Sequence, residues 1–556
     1  MASIEPHRQA KVEKTPLLPL TSIAKPDGTN MGPLDPYSTQ ALCLYCQYAA
    51  IGIIYAMLPA LSYPIFNVYL NLEGYQTASY SVLVTLGWSF KVFFGMLSDC
   101  VPIFGYRRKS WILIGWAITI VCLAALTALP FGTPYCNREK TTYCATPRGA
   151  IPPTELQYFN FHAPDRGSLF ILLSMAVSVG YMLAGCATDA ILVEYAQREP
   201  LATRGRLQTT TYTIRYGFGV ISLLVTGIGL NGVNYNGSFS FAISPNWPYA
   251  FCLLPCVVVC YTTLVYMDEP PTSTAASFRA WCRQFWALLQ ERVMWQLCAF
   301  RFVSELFHRI GATPQAPIAT YWAQVEPIND ACAAIIGHAF FAAMLAIVGR
   351  YGLHWNWRWT MVVGIVGTVA LDALVMMLTI WDVVRNQWFY TGVALSEQIP
   401  LGLRFVVSTF CAVEIADVGN EGATYGLVTM VSSLAQPLAS MVFKLLDSYF
   451  AVAQDDIKRD TLAVRWDVTY VYLISYASKL GALGWLWMLP PQKEALQHLK
   501  VHGGRSRVAG GLLIVVFVFT VILSVTSNLL SIFPTTKCYR IAGGNGVVGP
   551  DGHCRM

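Results

Sequence analysis

Long apolar segments separated by short polar ones run through most of the chain. A membrane-spanning α-helix needs about 20 mostly apolar residues, and irregular backbone cannot face lipid. With that length as the criterion, the sequence predicts thirteen spans. Their ranges are 41–70, 78–98, 110–130, 167–188, 207–230, 247–267, 295–322, 331–349, 359–380, 391–413, 422–446, 468–489 and 509–533.

The longest polar interruption divides the spans into two groups of six. Residues 268–292 begin with Asp268-Glu269-Pro270-Pro271 and continue with basic and aromatic residues, which predicts a linker with an amphipathic interfacial helix. The fold class is therefore an all-α polytopic membrane protein, a twelve-helix bundle in two six-helix halves plus an extra C-terminal transmembrane helix. The predicted regions are a disordered cytosolic N-terminus (1–40), the first bundle (41–267), the linker (268–292), the second bundle (293–490), a cytosolic linker (491–508), the thirteenth helix (509–533) and an external tail (534–556).

Composition agrees with a protein surrounded by a lipid bilayer. Only 12 % of the residues are charged, whereas soluble domains carry about 25 %. The formal net charge of +6 is modest and not concentrated in a basic domain, which excludes a nucleic-acid partner.

Basic residues orient the predicted spans. With the N-terminus in the cytosol, inner segments hold 19 Lys and Arg residues and outer segments 11, as the positive-inside rule requires. The sequon at Asn236 then lies outside, where a glycan can be added. Cys136 with Cys144, and Cys538 with Cys554, share external segments and are disulfide candidates. We expect a multi-pass protein of the plasma membrane.

The two halves repeat one another at a separation of about 250 residues. Pro59 and Pro64 interrupt span one, and Pro314 and Pro317 interrupt span seven. Interrupted helices at corresponding positions indicate the central site of a transporter. The alternative is that proline is simply common in membrane helices.

The loop after span two, GMLSDCVPIFGYRRK, is the most specific short motif. Gly95 allows a neighbouring helix to approach, Asp99 can meet an arginine, and Gly105 permits a tight turn. Arg107 and Arg108 then hold the cytosolic face. Such a cluster can latch two helix bundles in one state, although a topology determinant without a gating role is the alternative.

These residues resemble the loop signature of the major facilitator superfamily. Extended back to Trp88 and Lys91, the motif is similar to that of the folate–biopterin transporter family within it. ATDAILVEYAQREP, which contains Asp189 and Glu194, and EIADVGNEGATYGLV, which contains Glu414 and Glu421, resemble that family's exits from spans four and ten. The resemblance implies a major-facilitator-type fold, gating or coupling roles for those four acids, and secondary transport of a pterin or folate. The loop after span eight lacks an acid that matches Asp99.

Charged residues inside the spans are costly and mark function or paired structure. Lys91 and Arg404 are the best candidates for binding an anion. The other candidate binding residues are Glu397, Arg301, Glu305 and Trp88. For Arg301, Glu305 and Arg309 the alternative is an intrahelical ion-pair ladder, and for Asp372, Lys444 and Lys479 it is snorkelling toward an interface.

Asp189 and Glu194 can carry a coupling proton, as can Glu305 and Glu397. A cytosolic gate that pairs Asp189 and Glu194 with Arg198, Arg204 or Arg215 is the alternative. We expect alternating access around a midplane site, with a pteridine or folate as substrate and protons as a possible second partner.

Two other functions stay open from sequence. One is a carrier of another organic anion or of an amino-acid-like solute, and the other is a membrane sensor that keeps the carrier fold without turnover. An enzyme is excluded because the chain has no H-E-x-x-H, G-x-S-x-G or P-loop motif. The scattered histidines predict no metal site, and no cofactor is expected.

Overall fold

The computed structural model describes residues 34–197, 206–271, 277–352, 355–396, 398–415, 421–549 and 554. Within those residues the regular structure is helical, and the β-bridges are isolated. The first half contains α1 (Thr39–Ala60), α2 (Gly74–Leu83), α3 (Lys91–Cys100), α4 (Lys109–Ala128), α5 (Ala163–Gln197), α6 (Arg206–Gly229) and α7 (Trp247–Tyr266).

The linker and the second half are also helical. Their helices are α8 (Phe278–Gln290), α9 (Arg292–His308), α10 (Gln315–Tyr321), α11 (Pro327–Tyr351), α12 (Trp357–Ile380), α13 (Gln387–Ser396), α14 (Gln398–Ile415), α15 (Glu421–Asp447), α16 (Gln454–Arg459) and α17 (Leu462–Gly481). Two more helices follow them, α18 (Lys493–His502) and α19 (Arg507–Ile532).

Helices occupy the positions of the predicted spans. Seven described helices are long and apolar enough to cross a membrane by themselves, and the bent pair α2–α3 makes eight. The other predicted spans are broken, as in α9–α10, or carry many polar residues, as in α6 and α15. The number of twelve spans plus one therefore stays a prediction, as do the domain boundaries.

The helices predicted to be interrupted by proline are irregular in the structure. After Ala60, α1 continues as a π-helical segment, Ser62–Tyr69. In the second half, α9 ends at His308 and α10 begins at Gln315. A proline lacks the N–H that would continue the helical hydrogen bonds, so irregular backbone forms at these two places.

Each half has its own core, and several helices of the two halves meet. In the first half α1 packs on α6 and α4 packs on α5, and in the second half α12 packs on α14 and α9 packs on α15. Between the halves, α6 contacts α11, and α15 contacts α2 and α3. The amphipathic α8 directs the stacked rings of Trp281 and Phe285 toward the second core and leaves Arg279 and Arg283 exposed.

Candidate substrate site and outer gate

Lys91 and Asp189 form an ion pair in the first half. Lys91 is the first residue of α3, and its Nζ lies 2.8 Å from Asp189 Oδ2 on α5. Tyr48 on α1 donates its hydroxyl to Asp189 Oδ1 at 2.6 Å. The predicted anion-binding lysine therefore has a carboxylate partner of its own, Asp189. Arg198 and Arg204, two of the arginines that sequence suggested for Asp189, lie outside the described residues.

Aromatic rings surround this ion pair. The chain bends by 43° between α2 and α3, and the 3₁₀ turn there carries Trp88. The Arg215 guanidinium lies 4.5 Å from the centre of the Tyr55 ring and 5.1 Å from that of Trp88. Trp88 Nε1 donates to the Tyr181 hydroxyl at 3.1 Å. Sequence reasoning treated Arg215 only as a gate residue, although a charge within span five was a signal that it lines the site.

The second half holds a cluster of arginines around one carboxylate. Arg309 Nε lies 2.6 Å from Glu305 Oε1, and Arg404 Nη2 lies 3.1 Å from Glu305 Oε2. Arg301 Nη2 donates to Ser432 Oγ on α15 at 2.5 Å. The expected ladder thus forms between Glu305 and Arg309, while Arg301 reaches a different helix. Glu397 lies outside the described residues.

The second cluster is partly exposed. The Arg309 side chain is 42 % exposed and that of Glu305 is 21 % exposed. Because ionised side chains at membrane depth face water or protein rather than lipid, we expect these two groups to be accessible to water. The two clusters are linked through Ser89 Oγ, which donates to the Ser433 carbonyl at 3.3 Å. Ser89 follows Trp88 in the chain, and Ser433 follows Ser432.

The described charges of these clusters are unequal. In the second half Arg309 and Arg404 pair with the Glu305 carboxylate, and Arg301 lies close enough to act on its charge. In the first half Lys91 and Arg215 are near one carboxylate, that of Asp189. The arrangement favours an anion, and the rings of Tyr55 and Trp88 offer a surface for a flat molecule.

The inner loop holds its charges within the first half and the linker. Asp99 Oδ1 lies 3.4 Å from Arg107 Nη2 and 3.7 Å from Arg108 Nη2. Arg108 Nη1 lies 2.7 Å from Glu194 Oε1, so Glu194 pairs with the loop. The side chains of Glu414 and Glu421 lie outside the described residues, and so do Arg198 and Arg204.

Two glycines of this loop behave differently. Gly105 has φ +81°, a backbone angle that favours glycine and closes the turn. A Cβ at Gly95 would meet no described atom within 4 Å. A close helix approach at Gly95 is therefore not seen among the described residues in this conformation.

A contact that sequence reasoning missed joins the irregular helices of the two halves. With the predicted orientation it lies on the outer side, and we call it the outer gate. Asn67 Nδ2 donates to Thr320 Oγ1 at 2.6 Å, across a separation of 253 residues. Tyr321 donates its hydroxyl to Asn71 Oδ1 at 2.8 Å. A Cβ at Gly74 would lie 2.0 Å from the Thr313 carbonyl oxygen, so the halves are in direct backbone contact here.

The gate contains two related latches. In the first, Gln454 of the second half donates its backbone N–H to Glu73 Oε2 at 2.9 Å and its side-chain amide to the Leu72 carbonyl at 2.5 Å. In the second, Ser238 of the first half donates its backbone N–H to Glu326 Oε2 at 3.2 Å. Beside this latch, Tyr63 of the first half donates its hydroxyl to the carbonyl of Val325, the residue that precedes Glu326.

These latches are equivalent in the internal repeat. Glu73 follows span one and Glu326 follows span seven, at the same separation that relates Pro64 to Pro317. Asn71 and Gln324, which precede the two latch segments, both have positive φ, 55° and 52°. The repeated chain path therefore puts a carboxylate of each half within reach of an outer loop of the other half.

The pKa values of the two latch carboxyl groups are shifted in opposite directions. Burial raises the pKa of Glu73, and Asp455 and Asp456 nearby act in the same direction, while Lys458 opposes them. Burial also acts on the pKa of Glu326, but hydrogen bonds from Ser238 and Asn231 outweigh it and lower that pKa. Acid therefore affects the first latch before the second.

Cysteine pairs close two segments on this outer side. Cys136 is bonded to Cys144, and Cys538 to Cys554. Asn236 also lies here, but its Nδ2, the atom to which a glycan would be attached, is 3.4 Å from the Val325 carbonyl. Glycosylation at Asn236 stays a prediction.

Comparison with known proteins identifies relatives and a common fold. The model of the BT1 family matches residues 52–135. The chain is 21 % identical to a folate–biopterin transporter of Synechocystis sp. over 75 % of its length and 76 % of that protein. This confirms the resemblance to folate–biopterin transporters that the sequence motifs indicated.

Solved structures share the architecture at low sequence identity. A D-xylose–proton symporter is 12 % identical, with a TM-score of 0.55 over 82 % of this chain and 98 % of that one. A nucleoside transporter is 13 % identical, with a TM-score of 0.52 over 81 % of this chain and 100 % of that one. The fold is therefore that of major facilitator transporters.

Proposed function

We propose that this chain, whose sequence resembles the folate–biopterin transporters, is a secondary active transporter of pteridines or folates. The observation that carries the proposal is the excess of cationic groups next to aromatic rings where the halves meet. Transport proceeds by alternating access, and the latched outer gate represents its outside-closed state.

Each half binds a different part of the substrate. In the first half, Trp88 and Tyr55 stack on the flat pterin ring, and the Lys91–Asp189 pair offers it a donor and an acceptor. In the second half, Arg309 and Arg301 bind the glutamate carboxylates that folate carries and a simple pterin lacks. Arg404 holds Glu305 in place between them.

A pH dependence of the gate is part of the proposal, and we assign it to Glu73. Its carboxyl group lies in a contact between the halves, outside the spans, and it can exchange protons with the outer solution when the gate opens. A proton that binds there as the gate closes returns to the same solution when the gate reopens, so Glu73 makes closure pH-dependent without moving a proton across the membrane. Asp189, Glu194 and Glu305 have cationic partners in this state, and they serve to position those cations.

We also propose a cytosolic N-terminus and location in the plasma membrane. Both disulfides belong to the end of the molecule that carries the outer gate, and the Arg107-Arg108-Lys109 cluster lies at the other end of α4. Disulfides form on the oxidising side of a membrane and basic clusters remain in the cytosol.

The experiment is uptake of labelled biopterin and labelled folate by cells that express the chain at the surface. We expect saturable uptake of both, each inhibited by the other. Counterflow in liposomes separates a transporter from a sensor, since a sensor binds the label without exchanging it. Normal surface expression without uptake or counterflow of any pteridine would reject the proposed substrate.

A further inference from the structure

The thirteenth predicted span, α19, lies across both halves of the molecule. It packs on α2 and α5 of the first half, on α9 and α15 of the second, and on α8. Its outward face is apolar and exposed, with Leu512, Val515 and Phe519. Its inward face carries a strip of fully or nearly buried polar residues, namely Ser524, Ser527, Asn528 and Ser531. A polar strip in an apolar helix indicates a specific contact with protein.

Lys444 of α15 lies at the centre of that contact. Its side chain is 0 % exposed, so the expectation that it snorkels toward an interface is wrong. Its Nζ lies 2.8 Å from Ser79 Oγ on α2, 2.9 Å from Asn528 Oδ1 and 2.9 Å from Ser531 Oγ on α19. These three oxygen atoms can accept all the hydrogen atoms that the lysine amino group carries.

The hydrogen-bond directions show that each partner accepts from Lys444. Ser79 donates its hydroxyl hydrogen to the Tyr75 carbonyl, and Ser531 donates its own to the Ala542 carbonyl. Asn528 donates its amide to the Ser524 carbonyl and keeps Oδ1 as an acceptor. A buried amino group is costly unless its donors are satisfied, so this site depends on α19 for two of three acceptors.

The tail after α19 extends the same contact over the outer ends of both halves. Lys537 Nζ lies 2.5 Å from Asp165 Oδ1 at the start of α5, and Arg540 Nη1 donates to the Ser448 carbonyl at 3.0 Å. Gly543 has φ +100°, and a Cβ there would lie 2.6 Å from Tyr75 Cβ and 3.2 Å from Lys444 Cβ. The tail is thus wedged against α2 and α15 together.

We propose that α19 and its tail form a clamp that holds α2 and α15 together while the outer gate is closed, with Lys444 at its centre. When the gate opens, the clamp stays with the second half, to which Asn528, Ser531 and Arg540 bind it. The contacts that break are those with Ser79, Gln76 and Asp165 of the first half. The clamp rests on the proposed alternating access, but not on the identity of the substrate.

The test measures outer-gate opening without any substrate. Ala316, next to Asn67 in the gate, is changed to cysteine in a Cys332→Ser background, which removes an exposed native thiol. A membrane-impermeant maleimide is then applied to intact cells. We expect Lys444→Met and Ser79→Ala each to raise the labelling rate of Ala316→Cys by about fivefold or more, because each removes a hydrogen bond that holds the halves together.

Matched controls make the result specific. Lys479→Met removes a lysine whose ion pair with Asp372 at 3.3 Å lies within the second half, and it should leave labelling unchanged. Lys537→Gln breaks the partly buried contact between the tail and α5 and should raise labelling less than Ser79→Ala does. It also decides the question if Lys444→Met fails to reach the surface.

If Ser79→Ala and Lys537→Gln reach normal surface abundance and Ala316→Cys is labelled in them at the parental rate, the clamp is overturned. Faster labelling in a chain that takes up no pteridine would support the clamp and reject the proposed substrate, so the two failures are distinguishable.

Discussion

Each half holds a carboxylate paired with basic side chains, but the residues around the two carboxylates differ. In the first half one ion pair, Lys91–Asp189, is surrounded by aromatic rings, and Arg215 stacks on two of them. In the second half the Glu305 carboxylate is surrounded by arginines, and Arg309 is well exposed. A repeated fold can thus hold a flat ring on one side and carboxylates on the other, and biopterin and folate are substrates that separate these roles.

The largest expected effect comes from breaking the Lys91–Asp189 ion pair, which in our proposal contacts the ring common to both substrates. Lys91→Met leaves Asp189 without its cationic partner in the interior, and breaking a buried pair costs several kcal/mol. We expect uptake of both biopterin and folate to fall by about 100-fold or more. Asp189→Asn added to Lys91→Met should restore surface abundance but not uptake. Loss of folate uptake alone would show that the first half does not hold the common ring.

The second-largest expected effect tests whether the second half binds the glutamate carboxylates of folate. Arg309→Gln removes an exposed guanidinium whose loss leaves Glu305 paired with Arg404. Because a charge-assisted hydrogen bond contributes roughly 1.5–3 kcal/mol, KM for folate should rise by about 10-fold or more. KM for biopterin should remain within about twofold, since it has no carboxylate to lose a partner. Because Arg309→Lys keeps the charge, its KM for folate should lie between those of Arg309→Gln and of the parent protein.

A comparable but smaller effect tests the aromatic side. Trp88→Leu removes the ring that stacks on Arg215 and, in our proposal, on the pterin. Loss of one stacking contact worth about 1 kcal/mol should raise KM for both substrates about fivefold. Trp487→Leu changes an exposed tryptophan outside the site and should leave both values unchanged. An effect confined to folate would contradict the assignment.

The smallest effect concerns the two latches. The raised pKa of Glu73 means that the closed gate binds this proton more tightly than an open, solvated gate does. Acidification into the window just above 4.5, the ordinary pKa of a glutamate, should therefore favour the closed gate. Labelling of Ala316→Cys should fall about two- to threefold between neutral and mildly acidic pH.

Glu73→Gln is the control for that pH dependence. It cannot take up the proton, so its labelling should not change over the same range. Glu326→Gln should keep the pH dependence, because hydrogen bonds hold the pKa of Glu326 below the usual value. An unchanged response in Glu73→Gln would assign the titration to another group.

Much of the site could be predicted because charge within an apolar segment is visible in sequence. Lys91, Arg404 and Glu305 were singled out on that ground and Asp189 by the family resemblance, and the structure places each in an ion pair. The partners could not be predicted, because they come from helices about 100 residues away. Glu73 and Glu326 were missed because they lie in short polar loops, where a carboxylate carries no signal.

The sequence by itself determined the membrane class, the positions of the helices, the interrupted spans and the family resemblance. These follow from local composition, since lipid selects apolar length and proline breaks a helix where it stands. Only the tertiary structure decided that Lys444 is a buried junction rather than a snorkelling lysine, and that α19 spans both halves. The physical reason is that a buried amino group is stabilised by acceptors from distant segments, and pairing of that kind leaves no pattern along the chain.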